Sequence, residues 1–144
     1  VLDHNNLQLR DINQRLEIRI TLLKRLIEMT NLKSSLALFL KQKWVQPSMV
    51  YYQLRQISYE LIFIIYMENR NNDALISRID QYLRYDKDKK SFISGNDLKK
   101  IGLYPSPIYA KILRLVFYLQ LNGLLQNKSE ELIFVKRLRK KGIL

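Results

Sequence analysis

Apolar side chains recur along this chain at intervals of three and four, the spacing that gathers them on one face of an α-helix. From residue 6 to about 30 the stripe is Leu9, Ile12, Leu16, Ile20, Leu23 and Ile27, with Arg10, Arg15, Arg19, Lys24 and Arg25 mostly off it. Three heptads are short for a coiled-coil seam, and the stripe ends by Asn31. The expectation is a long helix packing on the rest, with docking onto a partner helix as the alternative. A second helix is expected over about 32–43, on Leu32, Leu36, Phe39 and Leu40, with Trp44 closing the core edge. Pro47 fits the first turn of a third, carrying Val50, Tyr51 and Leu54. Ser58 caps or interrupts before the apolar stretch 59–68, which reads as buried nearly all round. Asn71-Asn72 makes a turn and caps the next helix, whose apolar positions are Leu75, Ile76, Ile79, Tyr82 and Leu83. A polar loop follows at 86–91. Alternation at period two is never sustained, so no strand is expected.

The pattern is most specific over residues 92–123. Ser94 and Asp97 have capping-box spacing, starting a helix from about Gly95 to Ile101. Gly102 stops it, because glycine enters the left-handed region without steric cost. Leu103-Tyr104 is extended ahead of Pro105, and Ser106 is the expected N-cap of a helix with Pro107 at its first position. That helix runs to Asn122-Gly123. Ile108, Ile112, Leu115, Val116 and Leu119 fall near one face, and Lys111, Arg114, Tyr118 and Asn122 near another. Ser129 is expected to cap a final helix with Glu130 and Glu131 in its first turn. Lys136, Arg137, Arg139, Lys140 and Lys141 crowd its end, as the helix dipole favours. The predicted fold is all-α: one compact domain of six to eight helices over residues 1–144, a helical body at 1–85 and a basic tail at 86–144 holding the hairpin.

Charge changes the picture more than composition does. A chain of 144 residues with 47% hydrophobic residues can bury a real core, and the absence of cysteine removes disulfides, thiol zinc sites and thiol nucleophiles. With 25 Lys and Arg against 13 Asp and Glu the net charge is +12. Residues 73–144 hold 15 of those bases against 7 acids. Basic amphipathic helices suit a polyanion: nucleic acid first, an anionic membrane surface as the alternative. The longest apolar run, Leu61 to Met67, is far short of the roughly 18 residues of a membrane span. The chain opens Val-Leu-Asp without an initiator Met and shows no signal peptide, so a fragment or processed product located in the cytoplasm or an organelle of bacterial origin, not secreted, is expected.

Candidate catalytic chemistry is sparse. Asp86, Asp88 and Asp97 match part of a calcium loop, but Lys90 stands where an oxygen ligand is needed. His4 is the only histidine and reads as a surface residue. Glu130/Glu131 read as helix-start charges, and no Gly-rich phosphate loop is present. No catalytic residue and no metal ligand is assigned. The hairpin turn instead aims backbone amides and a helix N-terminus outward beside Lys99, Lys100 and Lys111, which suits phosphate. Tyr104, Tyr109 and Tyr118 lie closest to the basic face, with Tyr104 the first candidate for stacking on a base.

Gly95, Asp97, Leu98, Gly102, Pro105, Pro107, Ile112, Leu113 and Gly123 together resemble a pattern in the C-terminal region of the bacterial-type CCA-adding tRNA nucleotidyltransferase and poly(A) polymerase family, including the relatives that add only the terminal A or the CC. The segment from Ile20 to Leu83 is more loosely similar to the helical body of that family. Ser106 departs from it, standing where a glycine usually separates the prolines. The resemblance implies a non-catalytic tRNA-binding module that positions the tRNA 3′ end for nucleotide addition. The family's catalytic head has no counterpart in this sequence, so Mg2+ and CTP or ATP would belong to a separate catalytic domain or chain. The RNA contacts it implies are Lys99, Lys100, Tyr104, Ser106, Lys111, Arg114, Tyr118, Lys136, Arg137, Arg139 and Lys140, on a frame of Ser94, Gly95, Asp97, Gly102, Pro105, Pro107 and Gly123. The competing expectations are a helix-hairpin-helix-like DNA-binding module and a structural helical domain that binds a protein partner.

Overall fold

The computed structural model describes residues 20–142, and among them there are seven α-helices and no strand. They are α1 (Ile20–Lys41), α2 (Pro47–Leu54), α3 (Tyr59–Glu68), α4 (Asp73–Gln81), α5 (Gly95–Lys100), α6 (Ile108–Leu121) and α7 (Lys128–Lys140). The all-α expectation of six to eight helices is met. The described residues form two compact units: 20–45 with Gln56–Ile79, and Gln46–Arg55 with 80–142.

In the first unit, α1 runs unbroken through Asn31, correcting the expected break between helices near 30. Asn is a weak helix former, but no Gly or Pro accompanies it, and one such residue costs less than a new pair of helix ends. The part of the expected first helix before Ile20, and His4, lie outside the described residues. Leu36, Leu40, Leu61, Ile62, Ile65, Leu75 and Ile79 are buried here. Arg78 closes the C-terminal end of α1 by donating to the carbonyls of Leu40 and Lys43, where a cation also meets the negative end of the helix dipole. Ser58 caps α3 by accepting from the Leu61 amide, and Asn72 caps α4 by accepting from Leu75. Two expectations fail. α3 is not buried all round, since Tyr59, Phe63, Ile64 and Met67 are exposed. Trp44 does not close the core; it is 85% exposed, with the Lys43 ammonium 5.6 Å from its ring.

The second unit holds α2, α5, α6 and α7, together with a π-helical turn, Tyr82–Asp86, that follows α4. Asp86 therefore does not open a solvated loop. It is buried, accepts from Gln81 at 3.3 Å, and its pKa is pushed up by burial, with Lys89 opposing. Ile93, Leu98, Ile112, Val116, Leu125 and Val135 form the core, so α5, α6 and α7 each contribute. The expected stripe on α6 holds for Ile108, Ile112, Val116 and Leu119, whereas Leu115 is exposed and Leu113 packs on the core in its place. α2 is fixed to α6 by Asn122, which accepts from the Ser48 amide at 3.0 Å and donates to Gln46 at 3.1 Å. Tyr51 packs edge-on against Phe117, ring centroids 5.0 Å apart.

Candidate nucleic-acid interface

The turn between α5 and α6 joins the helix that ends in Lys99 and Lys100 to the one that carries Lys111 and Arg114. Ser94 and Asp97 form the reciprocal capping box, with the Ser94 amide and hydroxyl donating to the Asp97 carboxylate at 2.9 and 2.8 Å. Lys128 adds an ion pair to Asp97 at 2.7 Å, and these donors hold the Asp97 carboxyl far below its ordinary pKa. At the other end, Gly102 (φ +83°) completes a Schellman motif, in which its amide bonds to Lys99 and that of Leu103 to Leu98. Arg139, from the last turn of α7, donates to the Ile101 carbonyl. Its guanidinium lies so close that a Cβ on Gly102 would stand 2.8 Å from Nη1.

The Pro105-Ser106-Pro107 segment leads into α6, which starts at Ile108 with Pro107 at the N-cap. This corrects the expected Ser106 cap. No side chain caps α6; the Ser106 carbonyl accepts from the Tyr109 amide at 3.0 Å, and its hydroxyl is left to solvent. Tyr109 is a strut, donating its phenol to the Leu103 carbonyl at 2.6 Å and laying its ring over Gly95. Tyr104 is the opposite case. It is 89% exposed, the most exposed large hydrophobic side chain among the described residues.

α7 departs from expectation twice. Its cap is Asn127, which accepts from the Glu130 amide at 3.0 Å, while Ser129 lies inside the helix. Glu130 returns the contact by accepting from Asn127 and from the Gln126 amide, so this capping pair outcompetes Ser129 for the helix start. Glu131 is not a surface charge at a helix start. It is fully buried and accepts from the Ile93 amide at 2.9 Å, with its second oxygen unpaired. Burial pushes its pKa up, against the pull of the Ile93 and Phe92 amides.

Lys99, Lys100, Lys111, Arg114, Lys136, Arg137 and Lys140 are all exposed. Arg139 is the predicted contact that the fold itself uses. Lys111 and Arg114 are one turn apart on α6, and Arg114 shares a cavity with Tyr118. Asn122 leaves that face for the α2 contact described above. Met49, Tyr52 and Gln53 of α2 line the same cavity. Sequence reasoning missed them, because no local signal says that α2 lies beside α6. Lys128 escaped notice for the same reason. Among the described residues no three His, Cys, Asp or Glu side chains come together as a group that could hold a metal ion. Nor does any described helix have the length and apolarity to cross a membrane.

No family model matches the chain, and no solved structure matches it either. A stretch of 58 residues is 34% identical to the A-adding tRNA nucleotidyltransferase of Halalkalibacterium halodurans. That stretch makes up 40% of this chain and 14% of the relative. The chain is thus similar, over part of its length, to a small part of an enzyme that acts on tRNA.

Proposed function

We propose that the chain is a tRNA-binding helical module related to the tRNA nucleotidyltransferases, and that it positions the tRNA 3′ end for nucleotide addition by catalytic machinery outside these residues. The observation that carries this reading is a set of exposed cations on the two helices that flank the α5–α6 turn, Lys99 and Lys100 on α5 with Lys111 and Arg114 on α6, the turn itself being braced by Asp97, Tyr109 and Arg139. Structured RNA presents shape and phosphates rather than readable major-groove edges, so cations on a fixed frame are the appropriate recognition chemistry. The exposed Tyr104 beside them offers a stacking surface. The partial similarity to a tRNA nucleotidyltransferase favours tRNA among polyanions.

The test is binding of full-length tRNA across a salt series with duplex DNA of equal charge as competitor. Preference for tRNA at every salt concentration is expected. Equal competition by duplex DNA overturns the tRNA assignment and leaves a generic basic surface. A second reading, docking on another protein, is favoured by one feature of the first unit: the exposed Tyr59, Phe63, Ile64 and Met67 of α3. Self-association or protein capture without RNA affinity would select it.

A further inference from the structure

An open cleft of about 400 Å³ lies between α2 and α6, lined by Ser48, Met49, Tyr52, Gln53, Arg114 and Tyr118. We propose that this cavity receives a single unpaired nucleobase of the bound RNA, with Arg114 on the adjoining phosphate. The inference rests on the RNA-binding reading above and adds to it a base-holding site that the hairpin and its cations do not supply.

Five observations lead here. The volume falls within the roughly 300–1,000 Å³ of small-ligand sites. The lining is chemically one-sided: it includes a guanidinium and no carboxylate, so it selects against cations and for an anionic or neutral planar ligand. Tyr52 and Tyr118 provide aromatic surface, on which any base can stack. Gln53 carries both a donor and an acceptor, the combination needed to meet a base edge. Arg114 and Tyr118 are four residues apart and share a face of α6, while Met49, Tyr52 and Gln53 share a face of α2.

The site is also preorganised. Asn122 ties the first turn of α2 to the end of α6, and the Tyr51–Phe117 contact fixes the two helices one residue away from the cavity. Arg55 stands 5.8 Å from the Tyr52 ring centroid, bringing a second cation near the cavity. Lys111, one turn before Arg114, continues the charge along α6 toward the hairpin turn. A strand following that line would meet Lys111, then Arg114, and would place a flipped base in the cavity. Splayed single-stranded bases are the parts of RNA that proteins read by stacking.

Two titrations on the full chain test this. In the first, uridine and adenosine 5′-monophosphates and ribose 5-phosphate are followed by amide NMR shifts. The nucleotides are expected to perturb Tyr52, Gln53 and Arg114 saturably, and ribose 5-phosphate at least about tenfold more weakly, because it lacks the base to stack. In the second, tRNA binding is compared for wild type and Gln53→Trp, which fills the cavity from an exposed position. A loss of roughly tenfold with an unchanged salt slope is expected, since a base contact is removed and no phosphate contact. Tyr52→Ala gives the same answer if the tryptophan does not fold. Equal shifts from ribose 5-phosphate, shifts that persist in Gln53→Trp, or an unchanged tRNA affinity in both variants would overturn the cavity assignment while leaving the tRNA reading intact. Nucleotide binding in the cavity without any tRNA affinity would do the reverse.

Discussion

Gly102 and Gly123 end their helices in the same way and answer to different surroundings. Each has positive φ (83° and 75°), and each closes a Schellman motif with the same two backbone bonds. At Gly123 nothing lies within 4 Å of where a Cβ would stand, so only the backbone demands glycine. At Gly102 the Arg139 guanidinium occupies that space while it donates to Ile101. One turn is a stop signal. The other is a stop signal on which another helix rests, and it is the one flanked by exposed lysines.

The largest expected effect follows from that difference. Gly123→Ala should destabilise the chain by about 1–2 kcal/mol, the cost of a side chain in the left-handed region. Gly102→Ala should cost about 2–3 kcal/mol, because it also displaces the Arg139 hydrogen bond. Denaturant midpoints measure both, and equal losses would show that Arg139 moves aside freely. A double-mutant cycle sharpens the point. With Arg139→Ala as background the two glycine substitutions should cost the same, since the coupling between Gly102 and Arg139 is gone.

A smaller effect should separate the turns by pH. Asp97 belongs to the Gly102 side, and its folded pKa lies below the ordinary 3.8, chiefly through Lys128 and then the Ser94 donors. Its stabilising contribution is therefore complete above that value and is lost as pH falls through the folded one. Asp97→Asn should lower stability at neutral pH, and the gap to wild type should close as pH falls below about 3.8. A gap that stays constant down to strong acid would mean that the charge of Asp97 is not what stabilises the capping box.

Both turns could be read from the sequence, because their signals are local. Glycine after an apolar stripe, serine three residues before an acid and asparagine before a helical run depend on a few neighbouring bonds. What depended on distant partners stayed hidden. Glu131 looks like any acid in a first turn, and its burial is decided by the Ile93 amide 38 residues away. Tyr109 and Tyr118 have similar sequence contexts, yet one braces the turn and the other lines a cavity with α2. The apolar run 59–68 could not disclose which of its faces would be left exposed. Asn127 and Ser129 are both good caps, and the choice fell to the one with Glu130 three residues ahead.

The proposed tRNA reading puts more of the RNA phosphate contacts on Lys99, Lys100, Lys111 and Arg114 than on the cations in the last turns of α7. The direct measurement is the salt dependence of tRNA binding for wild type and for Lys99→Ala/Lys100→Ala/Lys111→Ala/Arg114→Ala, with Lys136→Ala/Arg137→Ala/Lys140→Ala as the comparison. Four lost phosphate contacts should reduce the magnitude of the log–log slope by about 3. That reduction is expected for the turn variant, with a smaller change for the α7 variant. An unchanged slope in the turn variant would contradict it.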